Sequence, residues 1–263
     1  FGFGSRSGID ITGESAGILP SQEWKMRRFK QKWYAGETIS VGIGQGYNAF
    51  TPVQLAHAIA TIANDGVSYQ PHLVQTVRSI GADTSRQVAA QPTHTVPLKA
   101  EHLAVIRNAL VGVGREGTGA TAFAKAAYVS AGKTGTAQVY SLKGEKYVHS
   151  RVDERLRDHA WYIAYAPADQ PRIALAVLVE NGGFGAQAAH NPRPTKNESR
   201  CTTLNARTGR HSNGRRERFV NAQRSDPYRR RRRAQSRQAR VGGRDRRCDH
   251  RRAARGAIER LLD

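Results

Sequence analysis

The sequence predicts an α+β fold in which an antiparallel sheet is flanked by helices. Three observations carry this prediction: a strongly capped helix pattern at residues 51–66, a second helix pattern at residues 98–113, and a series of strand patterns between residues 129 and 180. Helices and strands that occupy separate blocks of a chain are typical of α+β layers rather than of alternating βαβ units.

The first 50 residues are rich in glycine and aromatic residues. Their turn signals recur too often for a long helix, so we expect loops and short strands there. The run GIGQG at residues 42–46 contains Gly-x-Gly-x-Gly but lacks the strand–turn–helix context and the acidic residue of a dinucleotide site. We therefore expect no cofactor.

The helix pattern at residues 51–66 has a complete set of start and stop signals. Thr51 is an N-cap, Pro52 takes the first helical position, Gln54 completes a capping box, and Gly66 lies just past the end. The apolar residues between them form a broad face, so we expect this helix to be buried. The second helix, over residues 98–113, is predicted from apolar residues at helical spacing followed by glycines.

Strand patterns follow at residues 129–140, 160–166 (AWYIAYA) and 172–180 (RIALAVLVE). The turn sequence Pro-Ala-Asp-Gln-Pro at residues 167–171 predicts that the last two strands pair as an antiparallel hairpin. The charged residues 143–158 are expected to form an exposed loop.

The composition changes abruptly after Ala189. The chain has 42 basic and 21 acidic residues, and residues 190–263 hold 23 of the basic and 7 of the acidic ones, so this segment carries +16 of the net charge of +21. Its apolar content is too low for a core of its own. We therefore divide the chain into a domain at residues 1–189 and a basic, low-complexity, disordered tail at residues 190–263.

Two origins for this tail stay open. An out-of-frame reading of a GC-rich gene would yield arginine-rich sequence of this kind. A genuine basic tail would bind polyanions, either nucleic acid or anionic lipid, without sequence specificity. The tail lacks the stacking aromatics and recognition motifs of nucleic-acid-binding modules, which favours the first origin.

The stretch VSAGKTGTAQVY at residues 129–140 carries the candidate site, Lys133-Thr134-Gly135-Thr136. On a strand, Lys133 and Gly135 face one side and the two threonines the other. Threonine hydroxyls and an ammonium group suit a substrate carboxylate, Gly135 permits close packing, and a main-chain N–H can stabilise an oxyanion. The short motif Lys-Thr-Gly also occurs in ordinary strands that carry a solvated lysine, so the interpretation depends on the surrounding sequence.

That surrounding sequence is specific. The stretches FGFGSRSGIDITGESAGILPS, YAGETISVGIGQGYNAFTPVQLAHAIATIANDG, SAGKTGTAQV, HAWYIAYAP and ALAVLVENGGFG occur in this order. Together they resemble the C-terminal part of the transpeptidase domain of class B penicillin-binding proteins, and among these the penicillin-binding protein 2 group of cell-elongation D,D-transpeptidases. The resemblance covers residues 1–189.

The resemblance implies a partial penicillin-binding, serine β-lactamase-like fold that binds the D-Ala-D-Ala end of a peptidoglycan stem peptide, or a β-lactam, and crosslinks stem peptides through a serine acyl-enzyme. It also implies elongation-machinery membrane proteins as partners and a place at the periplasmic face of the bacterial inner membrane. Lys133, Thr134, Gly135 and Thr136 would bind substrate, and the main-chain N–H of Thr136 would form half of the oxyanion hole.

The family's other two motifs are not found in these 263 residues. No serine is followed two residues later by asparagine, and the one Ser-x-x-Lys, Ser130 to Lys133, overlaps the Lys-Thr-Gly motif. Residues three apart on a strand point to opposite faces, whereas a catalytic pair needs a helical turn to meet. We therefore expect no catalytic nucleophile, no metal site and no membrane anchor in this chain, and an inactive transpeptidase fragment. The alternative function is polyanion binding through the tail.

Overall fold

The computed structural model describes residues 1–81, 84–139 and 152–186, together with the backbone of strands within residues 201–225. Its helices are α1 (Gln22–Phe29), α2 (Ala35–Gly42), α3 (Pro52–Ala63), α4 (Ala100–Arg115) and α5 (Ala120–Phe123), with a 3₁₀ turn at Glu154–Leu156. Its strands are β1 (Val67–Tyr69), β2 (Thr76–Arg78), β3 (Ser85–Gln87), β4 (Pro92–Thr95), β5 (Ala131–Ala137), β6 (His159–Ala166), β7 (Ile173–Val179), β8 (Cys201–Arg207), β9 (Gly209–Arg210), β10 (Arg216–Glu217) and β11 (Val220–Ser225).

The main sheet has the strand order β11-β8-β7-β6-β5, and every neighbouring pair is antiparallel. Strand β5 therefore lies at one edge. The hairpin predicted for residues 160–180 is confirmed: β6 and β7 pair from Ala160 opposite Val179 to Ala166 opposite Ile173. Helices packed on an antiparallel sheet confirm the predicted α+β class.

Helix α3 begins as its capping signals predict. The Thr51 hydroxyl accepts from the Gln54 N–H at 3.2 Å, and the Gln54 side-chain oxygen accepts from the Thr51 N–H at 2.9 Å. The apolar face of α3 packs on one face of the sheet through Ile59 and Ala60, which share a buried cluster with Tyr165 of β6. Burial of this broad apolar stripe fixes the helix to the strands that carry the candidate site.

The opposite face of the sheet is also buried. Its cluster consists of alternate residues of the hairpin, with Phe123 and Tyr128 packed against them; the buried members are Ala160, Tyr162, Ala164, Ala166, Ile173, Leu175, Val177 and Val179. A strand buried on both faces reads as a nearly continuous apolar run, which is the pattern of β7 in the sequence.

The prediction of loops and short strands for residues 1–50 is wrong in part, because α1 and α2 lie there. Ser21 caps α1 by accepting from the Trp24 N–H at 3.0 Å, and Glu37 of α2 accepts from the Tyr34 N–H at 2.8 Å. The two helices are joined by an ion pair between Lys25 and Glu37, and Lys25 is only 1% exposed. This tertiary contact thus joins α1, whose residues are good helix formers, to α2, whose glycines and β-branched residues have poor helix propensity.

The predicted disorder of residues 190–263 is not confirmed for the part of the tail that the structure describes. Strand β8 pairs with β7 from Val179 opposite Cys201 to Ile173 opposite Arg207, and β11 pairs with β8. A buried strand such as β7 otherwise leaves a row of main-chain groups without partners, and β8 supplies those partners. The boundary at residue 189 and the out-of-frame origin of the tail stay predictions.

Most of the expected exposed loop, residues 143–151, lies outside the described residues, and the 3₁₀ turn falls in its remainder. Within the part of the chain that the structure describes, no helix is long and apolar enough to cross a membrane.

Candidate functional site

The predicted site residues Lys133 to Thr136 occupy the centre of β5, at the open edge of the sheet. They pair with β6, with Lys133 opposite Ile163, Thr134 opposite Tyr162 and Thr136 opposite Ala160. Because β6 bonds only one side of β5, the main chain on the other side is open to a ligand or to another part of the protein.

Three hydrogen bonds show which main-chain groups face this open edge. The Lys133 ammonium donates to the Thr134 carbonyl at 2.7 Å, the Gln45 amide donates to the Thr136 carbonyl at 2.6 Å, and the Gln138 N–H donates to Gln45. In an antiparallel ladder the N–H and C=O of one residue point to the same side. The N–H groups of Thr134 and Thr136 therefore also point to the open edge.

The two threonine hydroxyls lie in different surroundings. Thr134 is 8% exposed, and its hydroxyl bonds that of Thr118, which follows α4, at 2.7 Å. The Thr136 hydroxyl is half-buried and accepts from the Gly185 N–H at 2.9 Å. That bond uses an acceptor position of Thr136, so its O–H remains able to donate to a carboxylate. The structure thus presents Thr136, rather than Thr134, as the accessible hydroxyl.

Close packing occurs around Gly135, as the sequence predicts. A β-carbon at Gly135 would lie 3.3 Å from the Trp161 β-carbon, and one at Gly185 would lie 2.1 Å from the Gly135 carbonyl oxygen. The second distance is far below any real contact, so the segment after β7 can cross the strand only with glycine at position 185. Gly185 was not singled out from the sequence, and its signal was the glycine-rich run after the hairpin.

Gln45 is the second residue that sequence reasoning missed. It lies between two glycines of the GIGQG run, and its side-chain amide bridges two main-chain groups of the β5 edge, donating to the Thr136 carbonyl and accepting from the Gln138 N–H at 3.3 Å. The run lacks the context of a nucleotide-binding loop, and its glycines instead flank an amide that lies beside the candidate site.

Ser130 is buried just before β5 and does not act with Lys133. Its hydroxyl lies 3.2 Å from the Tyr162 hydroxyl, and it is 3% exposed. Burial raises the pKa of Tyr162 to about 12, and the Ser130 hydrogen bond opposes that shift. Since the Lys133 ammonium bonds the Thr134 carbonyl instead, the two polar groups of this Ser-x-x-Lys have separate partners.

The groups along this strand edge have the chemistry that suits a carboxylate. They are one cationic side chain, one accessible hydroxyl and outward main-chain N–H groups. Among the described residues no group of three or more His, Cys, Asp or Glu side chains could hold a metal ion.

Residues 1–197 match the family described as the penicillin binding protein transpeptidase domain. The chain is similar to the peptidoglycan D,D-transpeptidase MrdA of Haemophilus influenzae, with 43% identity over 191 residues, and to that of Acinetobacter baumannii, with 42% over 197 residues. These matches cover 72% and 74% of this chain but 29% of each relative. The chain therefore spans about three-tenths of the length of these curated relatives.

Solved structures show the same likeness. The crystal structure of Pseudomonas aeruginosa PBP2 in complex with WCK 5153 matches at 38% identity with a TM-score of 0.56, covering 70% of this chain and 38% of that one. The Helicobacter pylori complex between PBP2 and MreC matches at 30% identity with a TM-score of 0.56, covering 71% of this chain and 31% of that one.

Proposed function

The chain belongs to the penicillin-binding protein transpeptidase family, and we propose that it forms the substrate-binding wall of a peptidoglycan D,D-transpeptidase site. The observation that carries this proposal is the open edge of β5, which offers the Lys133 ammonium, the Thr136 hydroxyl and the Thr136 main-chain N–H. The parent reaction would be acyl transfer from one stem peptide to another through a serine ester.

Each group on this edge has a distinct proposed role. The Thr136 hydroxyl, oriented by Gly185, donates to the terminal carboxylate of the D-Ala-D-Ala stem or of a β-lactam. The Lys133 ammonium supplies positive potential beside that carboxylate. The Thr136 N–H donates to the oxyanion that forms when the acyl carbonyl is attacked, an interaction typically worth about 3–4 kcal/mol. Thr134 and Gly135 shape the strand rather than contact the ligand.

We propose that the nucleophile lies in a part of the protein outside these residues, which contain no Ser-x-Asn and no Ser-x-x-Lys on a helix. For the whole protein we propose β-lactams and peptidoglycan stem peptides as ligands, and action at the periplasmic face of the inner membrane in cell-wall elongation. The Helicobacter pylori relative is solved in complex with MreC, which supports a protein partner for the whole protein. We propose that its partners are membrane proteins of the elongation machinery.

A second candidate function rests on charge alone. Residues 190–263 carry a net charge of +16, so this segment would bind polyanions such as nucleic acid or anionic lipid through counterion release. That function would depend steeply on salt and would not involve β5.

A chimera tests the first proposal. Residues 1–186 replace the matching segment of the Haemophilus influenzae relative, and the second-order rate of acylation by a fluorescent penicillin is measured. Lys133→Ala should slow acylation most and Thr136→Ala less, because the latter keeps its main-chain N–H. Losing one hydrogen bond to a charged group costs roughly ten- to a hundred-fold in rate.

The matched control is Lys99→Ala, which removes an exposed lysine at the start of α4. If the Lys133→Ala chimera folds and acylates at the rate of its parent, the substrate-binding assignment fails.

A further inference from the structure

A second surface, at the end of α1 and the loop to α2, has the chemistry of a binding site. Within eight consecutive residues it presents the exposed cations Arg27, Arg28, Lys30 and Lys32 and the rings of Phe29 and Tyr34, which are 45% and 51% exposed. We call these six residues the basic-aromatic surface. None of its cations forms an ion pair with a described acidic residue.

The surface is held rigidly from beneath. Lys25 is buried against Glu37, and its ammonium also lies 4.4 Å from the centre of the Tyr34 ring. The Phe29 ring packs against Trp24 and Tyr47, with ring centres 5.5 Å apart in both cases. A partner that binds here therefore meets ordered rings and loses little side-chain entropy.

Lys30 occupies a position where glycine is the usual residue. Its φ angle is 58°, and its N–H donates to the Met26 carbonyl to close the end of α1. Helices that end in this left-handed conformation favour glycine there. A lysine at this position places a fourth positive charge on the surface at a cost in backbone energy.

Both rings are about half exposed, Phe29 at 45% and Tyr34 at 51%. The Tyr34 ring has the Lys25 ammonium at 4.4 Å and the Lys32 ammonium at 5.8 Å from its centre, and the rings of Phe29 and Trp24 form a T-shaped pair. A ring face attracts groups of positive partial charge, such as the C–H bonds on one face of a sugar ring. The cations beside these rings are separate from one another, so each suits a different carboxylate of one ligand.

We infer that the basic-aromatic surface is a docking site for an anionic glycan that carries carboxylated peptides, the peptidoglycan strand itself. Sugar rings would stack on Tyr34 and Phe29, while stem-peptide carboxylates would pair with the arginines and lysines. The inference rests on the proposed function for the identity of the polymer, but it concerns residues outside the candidate site. This surface would hold a strand while β5 binds the end of a stem peptide.

The test is a titration of the isotopically labelled full chain with a soluble disaccharide-tetrapeptide fragment of peptidoglycan, followed by NMR. The indole N–H of Trp33, which adjoins Tyr34 and donates to Thr38 at 2.8 Å, is the reporter for this surface. Trp161, opposite Gly135, reports on the candidate site. We expect a saturable shift of the Trp33 signal.

Two sets of variants locate the binding. The combined substitution Arg27→Gln, Arg28→Gln, Lys30→Gly and Lys32→Gln should weaken binding at least about tenfold, and the glycine suits the backbone of its position. Arg86→Gln with Arg115→Gln, which removes exposed charges elsewhere, should leave it unchanged. Tyr34→Ala should weaken binding, whereas Tyr34→Phe keeps the ring and should preserve it.

Other outcomes overturn the inference. An unmoved Trp33 signal excludes docking here. An equal saturable shift with heparin or with vesicles of anionic phospholipid shows a surface for polyanions in general. A shift at Trp161 alone places the fragment on β5, which supports the proposed function and rejects the second surface. If the Trp33 signal shifts but the chimera fails to acylate, the result supports docking at the basic-aromatic surface and rejects the proposed role of β5.

Discussion

The side-chain amide of Gln45 donates to the main-chain carbonyl of Thr136 at 2.6 Å, although 91 residues separate the two in the chain. Its oxygen accepts from the Gln138 N–H, so one amide spans two main-chain groups of the strand edge. This contact joins the loop after α2 to the strand that carries the candidate site.

Gln45→Ala should destabilise the main chain at the end of β5, beyond Thr136. Without the amide, the Gln138 N–H loses its acceptor, and we expect its hydrogen exchange to become at least about tenfold faster. Exchange measured residue by residue by NMR checks this expectation, with the interior amide of Leu175 as a reference. Gln31→Ala, in an exposed loop, is the control variant. Unchanged exchange at Gln138 would show that the contact contributes nothing to the edge.

The chain by itself should form no covalent adduct with a fluorescent penicillin. Ser130 is buried against Tyr162, and the ammonium of Lys133 is bonded elsewhere, so neither can act as nucleophile or base for the other. Denaturing electrophoresis followed by mass spectrometry is the measurement. A stable adduct on Ser130 would contradict the site described above.

Stability should fall in alkali because of Tyr162. The folded pKa of about 12 lies above the ordinary value of 10, so the unfolded chain loses this proton first as the pH rises. The contribution is complete below pH 10 and is lost between pH 10 and about 12, by roughly 2–3 kcal/mol in the free energy of unfolding.

Tyr162→Phe should remove that part of the pH dependence, measured as denaturant unfolding at several pH values. Tyr34→Phe, which changes a half-exposed ring, serves as the control and should keep the alkaline slope of the parent. An identical slope in the Tyr162→Phe variant would refute the assignment.

Gln54 should be one of the most sensitive polar residues of the chain. Its amide donates to the Ser5 and Ala16 carbonyls at 2.8 Å each, its oxygen caps α3, and the side chain is 1% exposed. Gln54→Ala removes these hydrogen bonds and leaves a gap where a buried side chain packed, so we expect a loss of about 3 kcal/mol in unfolding free energy. Gln31→Ala should change it by less than about 0.5 kcal/mol. A small loss at Gln54 would be evidence that water replaces the amide.

Local signals explain which parts of the fold could be predicted. Helix α3 was found because Thr51, Pro52 and Gln54 act within one turn, and the β6–β7 hairpin because a turn sequence lies between two strand patterns. Helix α1 has local signals, the N-cap Ser21 and a run of good helix formers, but the glycine-rich sequence around it masks them. Helix α2 has poor local propensity, so its stability depends on tertiary contacts such as the Lys25–Glu37 pair, which local propensity does not report.

The candidate site was also predicted only where its residues are adjacent in the sequence. Lys133 to Thr136 form a contiguous motif on one strand, so the sequence places them together. Gln45 and Gly185 reach that strand from positions 91 and 49 residues away, and no spacing rule brings them there. The accessibility of the two threonine hydroxyls also depends on a residue outside the motif, because the Thr118 hydroxyl bonds that of Thr134.

The pairing of β8 with β7 has a consequence for any shortened form of this chain. Cleavage after Ala189 would remove β8 and turn the seven-residue apolar strand Ile173–Val179 into an exposed edge. Open, flat, apolar edges recruit strands from other molecules and seed aggregation. Strand β8 therefore covers in this fold an edge that would otherwise favour self-association.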